Sequence, residues 1–508
     1  WRFGNFWRLP NHTMGGADAL LSSMAQQWRV VVPCAAAIGT GVYLAYSHVA
    51  FRVKHSGKKL PPTYWEFGCL PIIGAAIPFL IDPLALARRA EAKCGDCFTL
   101  NIFGMRITFL DGPDAQENFC RARDEELSQK EAYKFSIPLF GNGIIYDAEL
   151  EKRTEQIKLV TASLHTTALG NYVPKMLDEL ELYFGKLGNK GEIDIYKALS
   201  ELIILTASNC LMGKEIRHTL HSEVSSLYAI LDKGCTPISF FAPYLPIPAH
   251  INRDIARKKM VKLFQGVIDK RKAEGVHEKD VLQVFMDAKY KNGNTLPAEE
   301  VTGLMIALLF AGQHTSSVTS SWTGLFILQA KEKAKLMKDL LKEQAEAGPI
   351  DIDSIKNKMP LLTACISEAL RMYPPLILLM RKVHGDRVFK DITIPDGDTI
   401  MLSPSLSGRR PEVWTNPDEF DPYRWLNPRE EHRKHSHAWI GFGGGRHRCI
   451  GENFAYVQIK AIWSYLLRNF DMEAVGPLPK ANYEALVVGP KPPCTVRYAR
   501  RKNSTADC

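Results

Sequence analysis

The sequence predicts a mainly α-helical body carrying small β-sheets, and three patterns along the chain predict it. Most of 150–375 repeats apolar residues three and four apart with few prolines, the period of packed helices. Residues 98–111 alternate around Gly104 well enough for a β-hairpin, and 374–410 break into short β-like pieces such as Asp391-Ile-Thr-Ile-Pro. Residues 411–448, rich in Pro, Gly, Asn and His, read as loop before 452–469 return to an amphipathic helix. A prior of about 150 residues per domain would give three or four domains. No linker long enough to separate them follows Pro62, so the body is expected to fold as one unit.

Composition narrows the class. At 508 residues, 46% hydrophobic and 23% charged, the chain is neither disordered, collagen-like nor a charged tail. Eleven cysteines at irregular spacing argue against a disulfide scaffold. The net charge of +9 is modest for this length and suits an acidic partner or a membrane surface as well as nucleic acid.

The first element is an apolar run. Val30 to Phe51 holds no Asp, Glu, Lys or Arg; as a helix it spans about 33 Å, against about 30 Å of bilayer hydrocarbon. Arg52, Lys54, Lys58 and Lys59 follow, and the positive-inside rule places this flank and the rest of the chain in the cytosol. Pro61 and Pro62 then make a stiff hinge. The expected order is a leader at 1–29 (with Met14 as an alternative start), a transmembrane anchor at 30–51, a basic proline hinge at 52–62 and a main domain at 63–508. A buried helix or a cleaved secretory signal are the rival readings; a signal carries its charges ahead of the apolar run, where only Arg29 stands close.

The chemistry concentrates near the C-terminus. Residues 442–451 read Phe-Gly-Gly-Gly-Arg-His-Arg-Cys-Ile-Gly and lead straight into a helix. Glycines free the backbone for a tight loop. Cys449 then stands just before a helix N-terminus, where unpaired N–H groups favour a thiolate, and Arg446 and Arg448 should favour it further. A thiolate there suits a soft or borderline metal, iron above all. Three other readings stay open: a plain buried cysteine, a zinc site from His435, His437, His447 and Cys449, and a nucleophilic cysteine with His447 as base. Cys94-Gly-Asp-Cys97 has no second pair and runs into the hairpin, which points to a structural role rather than a redox one.

The ten-residue loop resembles the heme-binding loop of the cytochrome P-450 family, F-x-x-G-x-x-x-C-x-G. Most members carry Arg at the position of His447, and His there is similar to the sterol 14α-demethylase subgroup. The resemblance covers about 60–500 and implies the family's fold, with heme b between a long central helix and the helix after the cysteine loop. It implies Cys449 as axial iron ligand, pushing electron density toward O–O cleavage. Tyr133, Tyr146, Arg381 and His447 would anchor the heme propionates, and Phe442, Gly445 and Gly451 would shape the loop.

Further stretches carry the likeness. Glu368-Ala-Leu-Arg371 puts two charges on one helix face; the family clamps its heme-side loop with this pair and a downstream arginine, here Arg424. Ala311-Gly312-Gln313-His314-Thr315 interrupts an apolar helix at 301–329 and resembles the segment that lies over the heme, where a hydroxyl loosens the helical ladder. Thr315, His314 and Asp232 would then move protons. The loop 133–147 and the helix 198–208 also look like that subgroup, and Phe135, Phe140, Ala311, Leu378 and Leu486 would line an apolar sterol cavity. Two positions depart: Ile157 stands where a basic propionate ligand is usual, with Lys158 beside it, and Pro237 stands where animal members have His.

The expected activity is three successive oxygenations that convert a sterol 14α-methyl to alcohol, aldehyde and released formate. Phe135, a larger ring than an aliphatic residue there, favours sterols with one C4 methyl, obtusifoliol over lanosterol. Electrons would come from NADPH through a separate reductase, since no G-x-G-x-x-G is present, docking on Arg433, Lys434, Arg446 and Arg448. The implied partners are sterol, reductase and the endoplasmic reticulum membrane, and no nucleic acid. A single-step lipid hydroxylase of the same fold and a non-catalytic heme sensor are the alternatives.

Overall fold

In a computed structural model, residue 46 and residues 49–69, 73–213, 215–483, 485 and 487–501 are described. The chain divides into two units, 1–60 and 61–508. In the first, residues 49–54 are helical and the chain turns after His55, whose N–H donates to the Phe51 carbonyl at 3.1 Å. The expected anchor at 30–51 therefore lies almost wholly outside the described residues.

The second unit is mostly helix. Its longer helices are α1 (Pro83–Cys94), α2 (Pro113–Arg121), α3 (Leu150–Ser163), α4 (Thr166–Phe184), α5 (Ile195–Ala207), α6 (His221–Lys233), α7 (Pro248–Glu274), α8 (Ala298–Gln329), α9 (Lys333–Ala347), α10 (Pro360–Met372) and α11 (Glu452–Asn469). The strands are β1 (Cys97–Ile102), β2 (Met105–Leu110), β3 (Leu127–Ser128), β4 (Lys190–Asp194), β5 (Leu379–Val383), β6 (Arg387–Phe389), β7 (Ile392–Ile394), β8 (Thr399–Leu402), β9 (Phe470–Ala474) and β10 (Thr495–Arg500). They form one sheet ordered β1-β2-β8-β5-β3, a second ordered β4-β10-β9, and the β6-β7 pair. The hairpin expected at 98–111 is β1–β2; Phe103 and Gly104 turn it at φ of 48° and 77°, the sign a two-residue primed turn requires. The expected short strands of 374–410 are β5 to β8, whereas the sheet of β4, β9 and β10 was not foreseen.

Helix α8 organises the interior. Pro297 precedes it, Glu299 and Glu300 complement the N-terminal dipole, and no proline interrupts it. Several of its buried hydroxyls are satisfied by bonding back to the ladder: Thr319 to the Thr315 carbonyl at 2.7 Å, Ser321 to Ser317 at 2.6 Å and Thr323 to Thr319 at 2.7 Å. Close approach sets two of its glycines. A Cβ at Gly324 would lie 1.9 Å from the Trp463 ring, and Trp463 on α11 donates to the Ser320 carbonyl at 3.0 Å. A Cβ at Gly303 would lie 2.5 Å from the Phe140 carbonyl oxygen. Two segments, Ile195–Met212 and Ala298–Gln329, are apolar and long enough to cross a bilayer, yet 67% of the most apolar stretch of each is buried inside the protein. Both are core helices here.

Helix α1 and the segment after β8 are joined by a charge cluster. Arg410 Nε donates to Asp111 Oδ2 at 2.9 Å and its Nη2 to Glu91 Oε1 at 2.7 Å, while the Ser407 hydroxyl donates to Asp111. Burial and the neighbouring Asp111 push the Glu91 carboxyl up to about 7, against the pull of Arg410. A carboxyl raised in the folded state contributes stability below its unfolded value, about 4.3, and loses it as pH climbs through 7. Glu91→Gln removes that loss. Its melting temperature, relative to the natural chain, is expected to rise between about pH 5 and about pH 8; the same difference at both would contradict the placement of this charge.

Candidate active site

The cysteine loop is closed by the Cys449 N–H, which donates to the Phe442 carbonyl at 2.8 Å. Gly443 and Gly445 take φ of 71° and 60°, which glycine adopts freely. Gly444 and Gly445 are also pressed by α2: a Cβ on Gly445 would sit 2.0 Å from the Cys120 carbonyl oxygen and one on Gly444 2.7 Å from Cys120 Sγ. The Cys449 side chain is solvent-accessible, and backbone N–H groups of Gly451 and Glu452 at the start of α11 are aimed at its sulfur. Even so, burial by the surrounding protein pushes the thiol up overall. The expected arginine effect is corrected: Arg448 lowers the thiol only in part because Glu452 takes its guanidinium at 2.6 Å, and Arg446 leans toward Asp124, 3.9 Å away. A cation bonded to the sulfur is what would hold it as thiolate. Of the other readings, zinc finds no support, since no three His, Cys, Asp or Glu side chains converge on a metal position among the described residues. Cys94 and Cys97 are unbridged, and burial pushes the Cys97 thiol up to about 12, an inert thiol.

Beside the loop lies a cationic cluster. His447 Nε2 and Asp124 Oδ1 are 2.8 Å apart, and Arg153 Nη2 reaches Asp124 Oδ2 at 2.9 Å. Burial, then the nearby Arg381 and Arg153, push His447 down to about 4, against the pull of Asp124. Burial opposes ionisation of Asp124, but His447 and Arg153 hold its carboxyl below the usual range. Arg381 on β5 is buried, packs its guanidinium 4.8 Å over the Phe119 ring and donates to the Met380 carbonyl at 2.7 Å. Among the described residues no carboxylate pairs with it. Burial holds it below the ordinary arginine range, with Tyr133 and Tyr146 close enough to oppose that shift. A buried guanidinium without an anion is costly, which fits a ligand with acidic arms. Asp124 and Arg153 were missed from the sequence. Arg153, one turn before Ile157 on α3, is a buried basic residue of that helix turned toward this cluster, whereas Lys158 is exposed on a surface depression with Thr161 and His165.

An aromatic chain links this cluster to α8. Tyr133 stacks on Tyr146 at 4.8 Å and touches Phe135 at 5.8 Å, and Phe135 meets Phe240 at 5.4 Å. On the other side Phe140 lies between Tyr146 (6.4 Å) and Phe310 (6.2 Å), and Tyr228 links Phe310 to His314 at 4.6 and 5.9 Å. Phe310, Tyr228 and Phe240 were also missed. Phe135 and Leu378 pack on one core cluster, Phe140 and Phe442 on another. Leu486 lies outside the described residues.

Helix α8 is buried on both sides of an accessible stretch from Ala311 to Thr315, and a Cβ on Gly312 would meet open space. The helix is not interrupted there as expected. Instead the Thr315 hydroxyl donates to the Ala311 carbonyl at 2.5 Å within an unbroken helix. His314 Nε2 lies 3.1 Å from Asp232 Oδ1 on α6, off the line of a good hydrogen bond. Asp232 is 44% exposed, so this pair reaches water directly, although Pro237 replaces a histidine.

Below the loop the three expected charges meet. Glu368 accepts two bonds from Arg371 at 2.8 Å and one from Arg424 at 2.9 Å, with all three side chains fully buried. Trp425 Nε1 and the Asp421 N–H add donors at 2.9 and 3.1 Å. Arg424 continues to Glu431 Oε2 at 2.8 Å, and Arg371 to the Pro417 carbonyl at 2.7 Å.

A family model for cytochrome P450 matches residues 59–496. The chain is 44% identical over 492 residues to the obtusifoliol 14-alpha demethylase of Sorghum bicolor, covering 95% of this chain and 99% of that protein. It is 46% identical to the sterol 14-demethylase of Arabidopsis thaliana (88% and 93% covered) and 38% identical to the lanosterol 14-alpha demethylase of Mus musculus (93% and 94%). Among solved structures, the retinoic acid-bound cyanobacterial CYP120A1 superposes with a TM-score of 0.77 at 22% identity, covering 88% of this chain and all (100%) of that one.

Truncating one member of the buried triad strands the others. Arg424→Leu is expected to cost about 3–5 kcal/mol in denaturant unfolding; a loss under about 1 kcal/mol would mean that the cluster is solvated, as surface pairs are.

Proposed function

The chain belongs to the cytochrome P450 family, and on that premise we propose that it is a sterol 14α-demethylase preferring an obtusifoliol-type substrate. The observation that supports this most is the 44–46% identity to plant obtusifoliol and sterol 14-demethylases over most of the chain. The family's cofactor is heme, and the residues present fit it: a sulfur at a helix N-terminus, a buried arginine lacking an anion, and open space beside Gly312.

When bound, the heme supplies the oxygen activation that an unreactive methyl group needs, with NADPH electrons delivered by a separate reductase. Cys449 would hold the iron in a loop shaped by Phe442, Gly445 and Gly451. Arg381, Arg153, His447, Tyr133 and Tyr146 would hold the acidic arms. Asp232, open to water, and His314, 3.1 Å from it, would take up protons on the solvent side, and the Thr315 hydroxyl, which donates to the Ala311 carbonyl in this structure, would turn to deliver one inside the pocket. Phe135, Phe140, Ala311 and Leu378 exclude water and orient the nearly all-hydrocarbon sterol, with Leu486 assigned to the same wall by resemblance. Three turnovers give alcohol, aldehyde and formate. Residues 30–51 would anchor the chain in the endoplasmic reticulum membrane with the body in the cytosol, and the basic groups at 433, 434, 446 and 448 would receive an acidic reductase.

The Phe135 ring, held between Tyr133 and Phe240, crowds one side of the pocket. With reductase and NADPH, the natural chain is expected to release formate from obtusifoliol faster than from lanosterol. Phe135→Leu should move the kcat/KM ratio toward lanosterol by about tenfold or more. Equal turnover of both sterols by the natural chain would contradict the substrate assignment. A hydroxylated sterol without formate would favour single-step hydroxylation.

A further inference from the structure

We propose that Gln156 is a positioning residue that fixes Phe140 and Tyr146 by bracing the strained turn between them against the central helix. This rests on the reading above, in which both side chains face sterol and cofactor.

Gln156 on α3 is completely buried, and its amide is used in both directions. Its Oε1 accepts the Ile145 N–H at 2.8 Å, and its Nε2 donates to the Gly143 carbonyl at 2.9 Å. One side chain therefore ties the two residues that flank Ile144. The same Nε2 donates to Glu300 Oε1 at 2.7 Å, in the first turn of α8. Glu300 is itself held: the Tyr290 hydroxyl donates to that oxygen, and Lys152 Nζ lies 3.2 Å from the other.

The turn needs such a brace. Gly141, Gly143 and Ile145 take φ of 111°, 67° and 44°. For a β-branched residue that conformation is an outlier, kept only when the surroundings over-determine it. The Gly143 N–H is held by Asp147 Oδ2 at 2.7 Å, and the turn sits on α8 where Gly303 lets the Phe140 carbonyl and Ile144 approach. Phe140 leaves one end of the turn toward Phe310, and Tyr146 leaves the other to stack on Tyr133. If Ile145 relaxed to negative φ, the direction of Tyr146 would change. The amide accepts from one backbone group through Oε1 and donates to its neighbour through Nε2. Leucine would orphan both, and glutamate would face the Gly143 carbonyl and Glu300 with acceptors alone.

The test uses the full-length, heme-loaded protein as the natural chain, Gln156→Leu, Gln156→Glu and the pair Gln156→Glu/Glu300→Gln, all well below their melting temperatures. Two readouts separate positioning from bulk stability: heme transfer to apomyoglobin and the spectral change induced by obtusifoliol. Both single variants are expected to lose heme about tenfold faster and to bind obtusifoliol about tenfold more weakly, a usual scale for a residue behind a ligand contact. They should keep the carbonyl spectrum of a thiolate-bound heme. The pair restores a donor opposite the introduced carboxylate and should recover part of both losses; should Gln156→Leu not fold, the comparison of Gln156→Glu with the pair carries the test. Variants that match the natural chain in both readouts, or a pair no better than Gln156→Glu, would overturn the inference and leave the enzymatic reading standing. No obtusifoliol-induced change in the natural chain itself would overturn both.

Discussion

The architecture depends on one electrostatic difficulty: the family's heme ligand is a cysteine thiolate, so the sulfur proposed for that role would have to carry negative charge inside a protein. Burial pushes the Cys449 thiol up, and two backbone N–H groups at the start of α11 offset only part of that. The neighbouring arginines do little more, because Glu452 and Asp124 engage them. The site is therefore poised for a metal cation, whose charge outweighs the local terms. The rest of the fold holds that sulfur in place and leaves open space beside Gly312 of α8.

Two devices do the holding. The first is close packing at glycine: α2 presses on Gly444 and Gly445, and Trp463 ties α11 to α8 at Gly324. The second is a buried polar lattice. Glu368 gathers Arg371, Arg424 and Trp425, and the two arginines spread outward onto backbone carbonyls between Gly408 and Glu419. Such lattices add geometric definition more than stability. The cluster around Asp124 works by similar means, with Asp124 engaging His447 and Arg153 while Arg381, among the described residues, has no carboxylate partner.

What was legible in the sequence was local. The glycine-cysteine loop, the E-x-x-R helix with its later arginine, the β1–β2 hairpin and helix 452–469 each announce themselves within a few residues, through turn glycines, spacing or period. What was not legible comes together only through tertiary packing. Asp124 sits in an unremarkable connection after α2 and meets Arg153 and His447 from elements far along the chain. Gln156 looks like any polar residue of α3. Strand β4, Lys-Gly-Glu-Ile-Asp, lacks a strand signature and exists because β10, some three hundred residues later, pairs with it (Val496 opposite Ile193). The seven-residue run from Ala311 to Ser317 read as a loosened turn within its helix because its hydroxyls were taken without the carbonyls they bond to.

The central claim is that Cys449 binds the iron of a heme. Spectra of the reduced protein under carbon monoxide address it most directly, taken for the natural chain and for Cys449→His, which keeps a ligand at the position but removes the sulfur. The natural chain should give the strongly red-shifted Soret band that thiolate ligation confers. The variant should still carry heme but give the shorter-wavelength band of imidazole ligation. Retention of the red-shifted band without the sulfur, or a purified natural chain that takes up no heme, would contradict the account.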